Sequence, residues 1–176
     1  MNKSAAHICM ITLLLLTTTA CGWHLRGSAG NVLNIESIYI SAASQQSDML
    51  RQLKRLLSAS EVELVESATG ADYRLVIVKE DSTRRTATVS ASARVSERAL
   101  TEYVEFLVLD QEGLPVIEHT RLSVERIFEY NENNVLATDD EAGLLKREME
   151  AELARQIYNR LRQLNKAARA VDAPAS

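Results

Sequence analysis

The chain has 176 residues, with 20 Lys plus Arg against 24 Asp plus Glu and a formal net charge of −4. That balance excludes the strongly basic surface expected of a nucleic-acid binder, and the length suits one domain of ordinary size with a usable core. Only two Pro and six Gly occur, so long disordered stretches are not expected, and no internal repeat or second domain is seen.

The first 20 residues read as a secretory signal. Lys3 gives the positive start, residues 8–16 form an apolar stretch, and the small residues Thr17, Thr18, Thr19 and Ala20 precede Cys21. The apolar stretch has the size of a signal h-region and falls well short of the roughly 20 residues that span a bilayer. A cysteine directly after the small residues has the form of a lipobox, with Thr18 where such boxes usually carry Leu. The alternative is an ordinary signal peptide cut near Ala20, with Cys21 incidental. Cleavage leaves 156 of the 176 residues, and losing Lys3 takes the net charge from −4 to −5. The other cysteine, Cys9, falls inside the signal, so the mature chain forms no internal disulfide and its fold must rest on packing. An acylated Cys21 carries several chains, and two or more give stable anchoring. Gly22 stands where an Asp commonly marks inner-membrane retention, and so points to the outer membrane.

Residues 21–33 read as a tether from the lipid and residues 34–166 as a single domain. A β-rich run at 34–41, with Ile35, Ile38, Tyr39 and Ile40, predicts the first strand. Ser47 offers an N-cap to a helix whose Met49, Leu50, Leu53, Leu56 and Leu57 share one face, with Arg51, Lys54 and Arg55 on the other. Residues 61–65 alternate as a short strand would. In 73–79, apolar residues on both faces predict a central strand covered on each side. Residues 84–95 alternate small hydroxyl residues with Ala87, Val89, Ala91 and Ala93, which gives a strand with one thin apolar face. Residues 100–110 and 115–128 form the strongest strand and its return partner, with Leu122, Val124 and Phe128 on one face. The consecutive hairpins predict a mostly antiparallel sheet. A long helix follows, expected to be capped by Asp139 or Asp140, with Leu145, Met149, Leu153, Ile157 and Leu161 every four residues and Leu164 closing the stripe. Residues 167–176 read as a frayed tail. The simplest architecture is an α+β two-layer sandwich, a mostly antiparallel sheet of about four strands with two helices packed on one face.

Little here suggests catalysis. His24 lies in the tether, and His119 lies in a strand between Glu118 and Thr120. Neither belongs to a metal or nucleophile motif, and no phosphate loop or dinucleotide glycine pattern occurs. No enzyme activity, cofactor or metal is expected. The feature above background is a basic stretch, Lys79, Arg84, Arg85, Arg94 and Arg98, on or beside the hairpin around 84–98. Arginine forks suit phosphate oxygens, and the thin apolar face could sit beside acyl chains. On residue types alone, a solvated hairpin whose charges protect a sheet edge is the simpler reading.

The junction Cys21-Gly22-Trp23-His24-Leu25-Arg26 resembles the mature N-terminus of the LPS-assembly lipoprotein LptE family. Thr101-Glu102-Tyr103, the run Arg126-Ile127-Phe128-Glu129-Tyr130-Asn131 and Lys146-Arg147-Glu148-Met149 agree in order. The resemblance implies a sheet with two helices and no enzymatic activity. It implies an outer-membrane lipoprotein that plugs and helps assemble the LptD barrel, binds lipopolysaccharide and assists its delivery to the outer leaflet. The implied partners are therefore LptD, lipopolysaccharide and the outer membrane, the last through lipid on Cys21. Lipopolysaccharide binding in the family involves basic residues at the hairpin tip and near the start of the last helix. The first maps onto Arg94, with Arg98 an alternative and Arg84 and Arg85 nearby. The second falls near Thr138, with Lys146 or Arg147 the nearest basic residues. A different periplasmic lipoprotein, a pilot or binding module for another channel, is the competing reading.

Overall fold

The computed structural model describes residues 35–89 and 95–171; of residue 95 and residues 165–171 only the backbone is described. The expected signal, Cys21, the tether, Arg94 and residues 172–176 lie outside the described residues.

The order of elements is β1 (Ser37–Ala42), α1 (Asp48–Ser58), β2 (Glu63–Val65), β3 (Tyr73–Val89), β4 (Val95–Leu109), β5 (Pro115–Glu129) and α2 (Val135–Val171). The strands form one sheet in the order β2-β1-β3-β4-β5. The two short pairings, β1 with β2 and β1 with β3, are parallel. The two long ones, β3 with β4 and β4 with β5, are antiparallel. The α+β class and mostly antiparallel ladder match expectation, with five strands in place of about four. The segments expected as separate strands at 73–79 and 84–95 are not separate. Residues 73–89 are one strand, and residue 95 already belongs to the next.

Helix α1 forms where its sequence places it. Ser47 is the N-cap, and its hydroxyl accepts the Leu50 N–H at 3.1 Å, satisfying one of the donors a helix start leaves open. Met49, Leu50, Leu53 and Leu57 are buried, Leu56 partly so. Helix α2 starts a turn earlier than expected. Asn134, not Asp139 or Asp140, begins it: its carbonyl accepts the Thr138 N–H at 3.2 Å and its side chain reaches the Ala137 N–H at 3.5 Å. Its predicted stripe is the buried one, with Met149, Leu153, Ile157 and Leu161 in the core and Leu145 and Leu164 partly buried. The helix continues to Val171, past the boundary expected at residue 166.

Both helices pack on the sheet face that carries Ile38, Ile40, Leu75, Ile77, Leu100, Val104, Phe106, Val108, Val124 and Phe128, all in one core. Ser60 and Tyr158 join α1 to α2 through their hydroxyls at 2.6 Å. The expected cover on both sides of residues 73–79 is absent. Val78 is 45 % exposed, and no described element lies on that face. Both helices lie on the opposite face; within β3 the register also slips between Ile77 and Lys79, which leaves Val78 without a partner. Such a bulge switches the faces of every residue after it. Glu80, Ser82 and Arg84 therefore follow Ile77 on the helix side, while Lys79, Asp81 and Arg85 point to the helix-free side.

Phe106 is fully buried where both layers meet. Replacing it by Ala should cost about 3–5 kcal/mol, read as a lowered midpoint in denaturant unfolding. A loss under about 1 kcal/mol, the range of exposed positions, would show that this residue is not at the centre of the core.

Candidate functional site

The β3–β4 ladder runs from Arg74 opposite Leu109 to Val89 opposite Val95. Its first half lies over the core. In its second half, from residue 81 on, β3 is almost entirely exposed, while β4 opposite still buries Ala99, Leu100, Glu102 and Tyr103. The expected basic residues stand there. Arg84 lies opposite Leu100, and Arg98 opposite Thr86, so adjacent strands bring the two onto the helix-side face. Arg85, opposite Ala99, points the other way. Each is held by one neighbour. Arg84 pairs with Asp139 of α2 at 3.3 Å, and Arg85 with Glu125 of β5 at 2.9 Å. The Arg98 guanidinium lies 3.6 Å from the centre of the Tyr130 ring, a stacked cation–π geometry. Exposed apolar residues stand at the same end of the domain, Val89 on the strand and Val135 and Leu136 at the start of α2.

Two expected positions do not join this group. Lys146 pairs with Glu150 at 3.4 Å and lines a separate cleft with Glu80 and Glu102. Thr138 is buried, its hydroxyl donating to the Asn134 carbonyl at 3.1 Å and accepting the Asn131 N–H at 3.4 Å. It fastens the connector to α2 and presents nothing to a ligand.

The helix-free face carries a second charged network, built around Tyr103. This side chain is only 8 % exposed although no helix covers it. The Arg121 guanidinium lies 3.7 Å and the Lys79 ammonium 5.3 Å from its ring centre. Its hydroxyl donates to Asp81 at 3.0 Å, and Lys79 pairs with Asp81 at 3.1 Å. Glu105 takes Arg121 at 3.7 Å and His119 at 3.4 Å. The Lys79 ammonium, the Ser82 N–H and the Tyr103 hydroxyl hold the Asp81 carboxyl below the usual range. The Tyr103 hydroxyl and Asp81 raise the Lys79 ammonium above its own. Arg121 carries no local signal in the sequence, because its place beside Tyr103 is set by the β4–β5 register.

Exposed ion pairs contribute little, with a median of about 0–1 kcal/mol. Arg84→Ala and Arg85→Ala should each therefore lower stability by less than about 1 kcal/mol in denaturant titration. A larger loss would make the hairpin arginines structural and disqualify them as groups free to bind a ligand.

Comparison with known proteins places this architecture. A sequence model described as "LptE: Lipopolysaccharide-assembly" matches residues 35–161. The LPS-assembly lipoprotein LptE of Photorhabdus laumondii subsp. laumondii is 25 % identical over 152 residues, which cover 86 % of this chain and 82 % of that protein. The protein of the same name from Pectobacterium atrosepticum is 25 % identical over 159 residues, 89 % and 84 % of the two chains. Among solved structures, the uncharacterized lipoprotein B of Nitrosomonas europaea superposes with a TM-score of 0.68 at 26 % identity, covering 85 % of this chain and 94 % of that one. The rare lipoprotein B of Shewanella oneidensis shares the fold with a TM-score of 0.62 at 21 % identity, covering 77 % and 97 %. The family match takes in every strand, α1 and most of α2: the chain belongs to the LptE lipopolysaccharide-assembly family.

Proposed function

We propose that this chain is a lipoprotein of lipopolysaccharide assembly, anchored to the outer membrane through Cys21, and that it acts by binding and positioning, with no catalytic step. The observation that carries this reading is the family match across the folded core, residues 35–161, joined to relatives named as LPS-assembly lipoproteins over most of both chains. In finer terms, the domain plugs the LptD barrel and helps it assemble. The helix-free sheet face favours this placement, since its charges are paired among themselves and suit the hydrated lumen of a barrel, whose wall alternates polar residues inward.

The exposed half of the β3–β4 hairpin is the candidate contact for lipopolysaccharide. Lipid A combines phosphates with acyl chains. Arg84 and Arg98 share one face there, and a guanidinium has five donors in a planar fork that matches phosphate oxygens. Val89, Leu136 and Val135 supply exposed apolar surface at the same end. Arg94 and Arg85 complete the group in this reading. Lys146 is set apart, because the carboxylates around it compete with a phosphate.

Three experiments test the proposal. Arg94→Ala combined with Arg98→Ala should weaken lipopolysaccharide binding by tenfold or more, roughly the loss of one or two charge-assisted hydrogen bonds, while circular dichroism stays that of the parent. Binding equal to the parent would remove the hairpin from consideration. Affinity capture of the chain from detergent-solubilised outer membranes should recover a large β-barrel protein. Recovery of free monomer alone would reject the plug. A Cys21→Ala chain should partition into the soluble periplasmic fraction.

A further inference from the structure

Two carboxylates enter the space between the sheet and the helices. Glu102 sits on β4 between the inward-facing Leu100 and Val104 and is only 4 % exposed. Glu80 is partly buried on β3, brought to this side by the bulge at Val78. Together with Ser47, Ser82, Lys146 and Glu150 they line a cleft of about 500 Å³, bounded by the first turn of α1, by β3 and β4, and by α2. The groups are joined by hydrogen bonds. The Ser47 hydroxyl, which caps α1, donates to Glu80 at 3.1 Å. The Ser82 hydroxyl donates to Glu102.

The charges facing this cleft do not balance. On α1 stand Asp48 and Arg51, on β3 Glu80, on β4 Glu102, and on α2 Lys146 and Glu150, while the neighbouring Asp81 turns to the open face. Asp48 is paired with Arg51 and Asp81 with Lys79. What remains is Glu80, Glu102 and Glu150 around one ammonium, Lys146, which lies 3.4 Å from Glu150. In a partly desolvated space like charges repel more strongly than in water.

We propose that this cleft is a proton-operated contact, in which proton uptake by Glu80 or Glu102 tightens the first turn of α1 and the middle of α2 against the sheet. A proton taken from solvent removes one negative charge from the three-to-one excess. It also turns an acceptor-only carboxylate into a group that can donate. Burial pushes both carboxyls above the usual range. The Ser47 and Ser82 hydroxyls and Lys146 act against that rise, and Glu150 adds to it. A raised value in the folded state means that the folded chain holds the proton more tightly than the unfolded one. The stabilisation is therefore complete below the ordinary carboxylate range and is lost as pH rises through the raised values. Asp81 works in the opposite sense, since its depressed carboxyl stabilises above the ordinary range and fails only below it. The contact stands apart from the proposed barrel and lipopolysaccharide roles.

The test follows thermal unfolding of the full chain, and exchange of the Leu50 amide corrected for its intrinsic rate, from about pH 8 to about pH 5. In the parent, acidification should lower the unfolding constant by up to about tenfold per pH unit for each proton taken up, and Leu50 exchange should slow with it. The Glu80→Gln/Glu102→Gln double variant should lose most of this dependence. Lys146→Met, which removes the ammonium beside the three carboxylates, should steepen it. A double variant that keeps the parent's pH profile, or a Lys146→Met chain with no steeper one, overturns the proposal. Should the double variant fail to fold, Lys146→Met decides alone.

Discussion

One unpaired residue governs how this domain distributes its charges. Val78 interrupts the ladder between β3 and β4, and the strand changes phase there. Continued without a slip, the alternation that buries Leu75 and Ile77 would carry Lys79 and Asp81 beneath the helices, next to Val104 and Phe106. An ionised group in that position loses its water and gains no adequate replacement. The bulge sends Lys79 and Asp81 to the open face, where they meet Tyr103. It sends Glu80 and Ser82 to the helix side, where they meet Ser47 and Glu102. Both polar networks are consequences of one slip in register.

The second constraint is one of length. Strands β3, β4 and β5 have 17, 15 and 15 residues, about 50 Å at roughly 3.3 Å per residue. Helix α1, with 11 residues, spans only about 16 Å at 1.5 Å per residue. Helix α1 therefore covers only part of the sheet. Helix α2, with 37 residues, runs about 55 Å at 1.5 Å per residue over β4 and β5. It keeps Leu100 and Phe128 in the core and leaves the far half of β3 exposed. There the β3 side of the hairpin is held by its backbone ladder and by cross-strand pairs such as Thr88 with Glu97 and Arg85 with Glu125. These interactions are individually weak in water, so the arginines there are not needed to hold the fold. A surface whose side chains carry little of the stability is one on which binding groups can be placed and changed.

Much of the fold was legible in the sequence, and what was not has identifiable causes. The leucine stripe and Ser47 cap of α1 are local patterns, and the structure keeps them. So is the stripe of α2, but the acidic run at Asp139–Glu141 suggested a cap one turn too late, because Asn134 followed by Val135 and Leu136 carries no charge signal. The apolar run ends at Val78, so residues 73–79 and 84–95 read as separate strands, whereas the backbone continues through a bulge that shifts its phase. The parallel pairing of β2 with β1 rests on three residue pairs across a helix, and no local feature announces it. For the candidate site, clustering of basic residues singled out one hairpin as a candidate. It could not show that Arg84 and Arg98 share a face while Arg85 does not, because that depends on the register across the turn. Nor could it place Lys146 among carboxylates from β3, β4 and α2, which are far apart in the chain.

The two networks stand back to back on the same strands. Glu80 and Asp81 are consecutive, as are Glu102 and Tyr103, and in each pair one residue serves the helix side and the other the open face. Their electrostatics run in opposite directions. On the open face opposite charges lie beside one another, and Lys79, the Ser82 N–H and the Tyr103 hydroxyl hold the Asp81 carboxyl below its usual range, so its contribution is present above that range. On the helix side three carboxylates share one ammonium and two of them are partly desolvated, so a fall in pH relieves repulsion. Acidification thus relieves repulsion beneath the helices, while Asp81 on the open face keeps its charge beside Lys79. The separation of the two networks comes from nothing more than the alternation of side chains along β3 and β4 and one slip in its phase.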